Sequence, residues 1–111
     1  MTEWMRTDRD IAYARFINAW GTESQILKTI EETSELNQVL VREVLASRSK
    51  KGDIAYYHAP TFEEVVDEIA DAYLMLDQLA YIFGRDNIEQ VIERKLTAAL
   101  QRVERHEAKN K

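Results

Sequence analysis

Cysteine is absent from the 111 residues, so neither disulfides nor thiolate-held metals are available to this chain. Proline occurs once and glycine three times, too few punctuating residues for the many turns of a sandwich or barrel. No apolar run approaches the ~18 residues of a membrane-spanning helix, and Met1–Asp10 is polar and acid-bearing, unlike a signal peptide. The expectation is a cytoplasmic protein with no membrane partner. Positive charge is also in deficit. Fifteen basic against 20 acidic residues leave a net charge of −5, which argues against a nucleic-acid polymer as partner because that needs a basic face. Phosphates remain possible ligands where a divalent cation bridges the like charges.

What is present points to helices. Hydrophobic residues make up 45% of the chain and charged residues 32%, the balance of a soluble globular protein, and the length suits one domain covering residues 1–111. Capping signals divide it into four helices, at about 8–20, 23–46, 62–83 and 87–105, with a loop over 47–60. Thr7 or Asp8 can cap the first, whose Tyr13, Phe16, Ile17 and Trp20 recur at helical spacing before Gly21 stops it. Thr22-Glu-Ser-Gln25 reads as a capping box opening the second. Thr61-Phe-Glu-Glu64, behind Pro60, reads as another that opens the third. Gly84 ends the third helix and Asp86 caps the fourth, in which Ile88, Ile92, Leu96, Ala99, Leu100 and Val103 form one stripe. The tail beyond Glu104 is polar and is expected to fray.

Acids on a helix normally face solvent, so their angular position, at about 100° per residue, is what distinguishes them. On the third helix Phe62, Val65, Ile69, Ala72, Leu76, Leu79, Ala80 and Phe83 mark a broad apolar face. Glu68 points into it, with Ala72, Met75 and Leu79 as helical neighbours, and a carboxylate there needs compensation. Asp71 lies beside it at i,i+3, and Glu64 one turn before repels it. On the second helix Ile26, Ile30, Leu36, Leu40 and Val44 mark the apolar arc; Glu32 lies at its edge next to Leu36 and Val39, with Glu35 projecting on the same side. Antiparallel packing of the two helices makes the four carboxylates converge. Oxygen ligands alone favour a hard cation, Mg²⁺ or in its place Mn²⁺; solvated or mutually satisfied acids are the other reading. A ferritin-like di-iron site is excluded, because neither His58 nor His106 follows a glutamate by three residues.

Trp20-Gly21, Gln25, Ile30-Glu-Glu-Thr-Ser-Glu-Leu36 and Glu64-Val-Val-Asp-Glu-Ile-Ala-Asp-Ala-Tyr-Leu-Met-Leu76 resemble the MazG-like nucleoside triphosphate pyrophosphohydrolases. That all-α superfamily also includes dimeric dUTPases, dCTP pyrophosphatases and phosphoribosyl-ATP pyrophosphatase. Its signature is E-x-x-E on one helix and E-x-x-D on the next, and the likeness runs from about Phe16 to Leu100. The resemblance implies that Glu32, Glu35, Glu68 and Asp71 hold Mg²⁺, and that Glu35 also orients or deprotonates the attacking water. The implied reaction hydrolyses a (deoxy)nucleoside triphosphate to its monophosphate and pyrophosphate, in house-cleaning or pool control. It further implies a phosphate contact from Lys95. A second basic residue one turn on falls at Ala99, leaving Arg102 to supply it. The implied architecture is an antiparallel bundle completed by oligomerisation, as a homodimer or tetramer; Leu27, Val41, Leu45, Leu74 and Ile82, which lie off the main faces, agree with that. The spacing between the two motifs is longer than in that family, with the extra residues centred on Arg48 to Pro60.

Other residues carry two readings each. Trp20, Tyr56 and Tyr57 could stack on a base or pack as amphipathic aromatics. Arg48, Lys50 and Lys51 could reach phosphate or only solubilise the loop, and Glu31 and Glu64 could support the acids or lie exposed. No role is assigned to His58. A function of a different class, a non-catalytic helical oligomer that binds partners on the same fold, stands beside the hydrolase.

Overall fold

The computed structural model describes residues 6–50, 52 and 58–110. They form an all-α chain of four helices: α1 (Arg6–Trp20), α2 (Thr22–Arg48), α3 (Phe62–Phe83) and α4 (Arg85–Lys109). No strand occurs among the described residues, and none of the helices is long and apolar enough to cross a membrane. Lys51, Tyr56 and Tyr57 lie outside the described residues.

Three of the four starts differ from expectation. α1 already includes Thr7 and Asp8, so neither caps it, and Asp8 lies in its first turn; α2 and α4 differ for one shared reason. Gly21 adopts φ 89°, its N–H bonds Ile17 O at 2.7 Å, and its own carbonyl accepts the Gln25 N–H at 3.2 Å. A single residue thereby ends α1 and begins α2, in a conformation that favours glycine. Thr22 is already helical, no side chain caps α2, and the capping box read at Thr22–Gln25 is not made. Gly84 (φ 105°) does the same before α4, so Asp86 sits in the first turn, where the helix dipole favours an acid, rather than at the cap. The box at Thr61 is half realised: Thr61 Oγ1 accepts the Glu64 N–H at 3.1 Å, while the Glu64 carboxylate meets Arg42 at 3.3 Å. At the far end, α4 does not fray after Glu104 but continues to Lys109. Nothing there breaks it, and Glu, Arg, Ala and Lys are good helix formers.

Packing divides the chain into two compact units, Met1–Leu79 and Ala80–Lys111. In the first, contacts at Gln25–Gln78 and Arg42–Glu64 run α2 and α3 antiparallel, and the Tyr13 hydroxyl ties α1 to α3 by donating to Asp77 Oδ2 at 2.7 Å. Arg9 adds a looser ion pair to the same carboxylate.

The covered face of α2 is Gln25, Thr29, Glu32 and Val39, with Leu36 half-buried: the 4-3-4-3 spacing of one helical seam. Opposite it on α3 lie Ala72 and Gln78, buried, and Val65, Glu68, Asp71, Met75 and Leu79, half-buried. This seam mixes polar and apolar side chains along its length. Thr29 meets its own need by donating to Gln25 O at 2.9 Å. The apolar faces read from the sequence are only partly covered: Val65, Ala72, Leu79 and Ala80 on α3 and Ile26 and Leu36 on α2 are buried or half-buried. Phe62 (77% exposed), Ile69, Leu76 and Phe83 on α3, and Ile30, Leu40 and Val44 on α2, are all exposed. Each helix has two apolar-containing faces, and the one lined by small and amide side chains is inward. In the second unit Ile92, Leu96, Leu100 and Val103 are exposed and Ala99 is half-buried.

Candidate metal centre

Midway along the α2–α3 seam, Glu32, Glu68 and Asp71 each bring one carboxylate oxygen to within 4.8 Å of the others. One cation with Mg²⁺- or Ca²⁺-type ligand distances of about 2.0–2.6 Å could bridge that span. Antiparallel packing produces this convergence, because Glu32 descends on α2 where the Glu68–Asp71 turn of α3 passes it. Glu32 is 8% exposed. Its Oε2, like Oε2 of Glu68, is buried with no hydrogen-bond partner. Two buried oxygens of like charge with nothing to accept from are costly, and native structures rarely tolerate such groups without an ion or water. The hard oxygen donor set, the spacing and the orphaned oxygens fit a divalent cation such as Mg²⁺.

The electrostatics agree. Burial, then the charges of Asp71 and Glu32, push the Glu68 carboxyl above its usual range. Burial, then Glu32 and Asp67, push up Asp71, against a smaller pull from Lys28. Glu35 lies half-exposed one turn beyond Glu32 and outside the three-acid cluster. Its carboxyl is also raised, first by the neighbouring Glu32 charge and then by partial burial.

Lys28 gives these acids a positive neighbour: its Nζ is 3.1 Å from Glu32 Oε1 and 3.9 Å from Glu31 Oε2. The sequence carries the signal for it in the i,i+4 and i,i+3 spacing to Glu32 and Glu31, which the reading of the motif passed over. One helical turn from the acids a cavity of about 590 Å³ opens, lined among others by Phe16, Trp20, Lys28, Gln25, Met75 and Gln78. Trp20 is exposed at the end of α1 and stacks on Phe16, ring centroids 5.7 Å apart. At the base of the cavity Gln78 Nε2 donates to Gln25 Oε1 at 3.1 Å. Only Gln25 of that pair drew notice in the sequence.

Lys95 and Arg102 belong to the second unit, exposed on one face of α4 beside Ile92 and Leu96. His58, Lys50 and Arg48 are exposed as well.

No family model, curated protein or solved structure matches this chain.

Proposed function

We propose that the protein is a nucleoside triphosphate pyrophosphohydrolase, hydrolysing its substrate to the monophosphate and pyrophosphate with Mg²⁺, or Mn²⁺ in its stead. The observation that carries the reading is the pair of orphaned oxygens, Glu32 Oε2 and Glu68 Oε2, beside Asp71 in the α2–α3 seam. The MazG-like pattern of the sequence supplies the reaction.

Glu32, Glu68 and Asp71 would hold the cation. When bound, Mg²⁺ supplies charge neutralisation on the phosphate oxygens and polarises a water, which is most of what phosphoryl chemistry requires. Glu35 stands at the open rim next to Glu32, and its raised carboxyl suits it to orient a water and accept its proton. Lys28, half-exposed between the acids and the cavity, is suited to meet a phosphate oxygen. Rigid helices carry all these groups, as in-line positioning demands.

The chain works as a homodimer or tetramer in this account. The support is the exposed stripe Phe62, Val66, Ile69, Tyr73 and Leu76 on α3, a contiguous apolar face of the kind that marks protein contact surfaces. A non-catalytic module would need the stripe but leaves the buried acids unexplained. Cytoplasmic nucleotide pools are where such an enzyme acts. Incubating the common ribo- and deoxyribonucleoside triphosphates with the protein, in Mg²⁺ and in EDTA, tests the reading. Cation-dependent pyrophosphate release supports it, and no such release from any of them overturns it.

A further inference from the structure

The cavity next to the acids has walls of one kind and a floor of another. Phe16 and Trp20 form a stacked aromatic wall. The floor is the Gln25–Gln78 pair, 7% and 2% exposed. Amide side chains are seldom so buried merely to join two helices when apolar residues would do the same. Their mutual bond uses Nε2 of Gln78 and Oε1 of Gln25. That leaves Nε2 of Gln25 as a donor and Oε1 of Gln78 as an acceptor.

Resting on the hydrolase reading of the adjacent acids, we propose that this cavity binds the nucleobase, with Gln25 and Gln78 reading its hydrogen-bonding edge against the Phe16–Trp20 wall. The register agrees on both helices: Gln25 lies seven residues before Glu32 and Gln78 seven after Asp71. Two turns, or about 10 Å along each axis, separate the amides from the acids, a distance that an extended nucleoside and its first phosphates span. Lys28 lines the cavity and also holds Glu32, which connects the two parts of the site.

The amide pair has a consequence for selectivity. The oxygen and nitrogen of a glutamine amide are nearly isosteric. If both side chains turn over together, their mutual bond survives with its direction reversed, and the donor and acceptor exchange places. One orientation fits a ring carbonyl beside a ring N–H, as in uracil; the other fits an amino group beside a ring nitrogen, as in cytosine. Stacking on an aromatic face is tolerant of base identity. The pocket therefore accepts both kinds of edge.

Titrating the full-length protein with uridine and with cytidine in EDTA, and following the side-chain amide resonances of Gln25 and Gln78, tests this without any turnover. Both amides are expected to shift saturably with both nucleosides. The variant Gln25→Met/Gln78→Met removes both partners together, so neither amide is left unpaired. It is expected to lose at least about 10-fold in affinity, read from the Trp20 indole, as the loss of two hydrogen bonds predicts. Amide resonances that stay still, or a double variant that binds as tightly as the parent, overturn the proposal. Glu68→Gln lies outside the pocket and is expected to bind nucleosides like the parent. Saturable amide shifts in a protein that hydrolyses nothing would support the pocket while refuting the hydrolase. Turnover with motionless amides would do the reverse.

Discussion

Glu32 and Glu68 face one another across the α2–α3 seam, each with its Oε2 buried and without a hydrogen-bond partner. The folded chain thus buries one oxygen of each carboxylate without a protein donor, although Lys28 serves the other oxygen of Glu32, and the stability cost of those two oxygens is the basis of the expectations that follow.

Glu68→Gln removes one of the repelling charges and keeps the shape. In metal-free buffer at neutral pH the variant is expected to melt at the same temperature as the parent or higher, while nucleotide turnover falls by more than the roughly 10–100-fold seen when mere supports of metal ligands are removed. Differential scanning calorimetry and a pyrophosphate assay check the two halves.

Acidification gives a second test. Glu35, Glu68 and Asp71 all have carboxyls raised in the folded state. The folded chain therefore binds more protons than the unfolded one between the ordinary carboxylate range, about 4, and the raised values, and stability falls as pH rises through that window. Lowering the pH from 7 to about 5 in EDTA is expected to raise the melting temperature. Saturating Mg²⁺ is expected to reduce the gain. A melting temperature that falls steadily over the same range contradicts the assignment.

Lys28→Met removes the cation 3.1 Å from Glu32 Oε1. Contact with Glu32, first of all, raises the Lys28 ammonium above its usual range, so its stabilising contribution is fully present at neutral pH and lost only in strong alkali. The variant is expected to melt lower than the parent at pH 7 in EDTA, with Mg²⁺ restoring most of the difference.

Much of this site was legible along the chain. Helical angles alone put Glu68 among Ala72, Met75 and Leu79, and those are the buried or half-buried neighbours in the structure. Thr61 was readable as a cap because its bond to the Glu64 N–H lies within one turn. A helical wheel tells which residues share a face but not which face another helix will cover. Only part of the wide arc from Phe62 to Phe83 is covered for that reason: Val65, Ala72 and Leu79 lie in the seam with α2, whereas Phe62, Ile69, Leu76 and Phe83 are exposed. The Gln25–Gln78 bond joins residues 53 apart and leaves no local trace. Gly21 was readable as the stop of α1, but its part in starting α2 was hidden by a better-looking cap one residue later.

Thr61→Ala deletes the side-chain acceptor at the start of α3. It is expected to cost about 1 kcal/mol, a loss of a few degrees in melting temperature for a chain of this size, with the acid cluster and its cation dependence retained. Denaturant melts of the two proteins measure it.

In the proposed homo-oligomer the exposed α3 stripe is the contact with a partner copy. Ile69→Lys is expected to leave α3 helical but to weaken self-association strongly, since an unpaired charge buried at an interface costs about 3–5 kcal/mol. Sedimentation should show the parent as a dimer or tetramer and the variant shifted toward monomer. A parent that is monomeric at all concentrations would remove the interface from the account.

The central claim is that Glu32, Glu68 and Asp71 together hold a divalent cation. Calorimetric titration of Mn²⁺ into the metal-free parent and into Glu68→Gln tests it most directly. Saturable binding by the parent and its loss in the variant are expected. Equal binding by both proteins, or none by the parent, would contradict it.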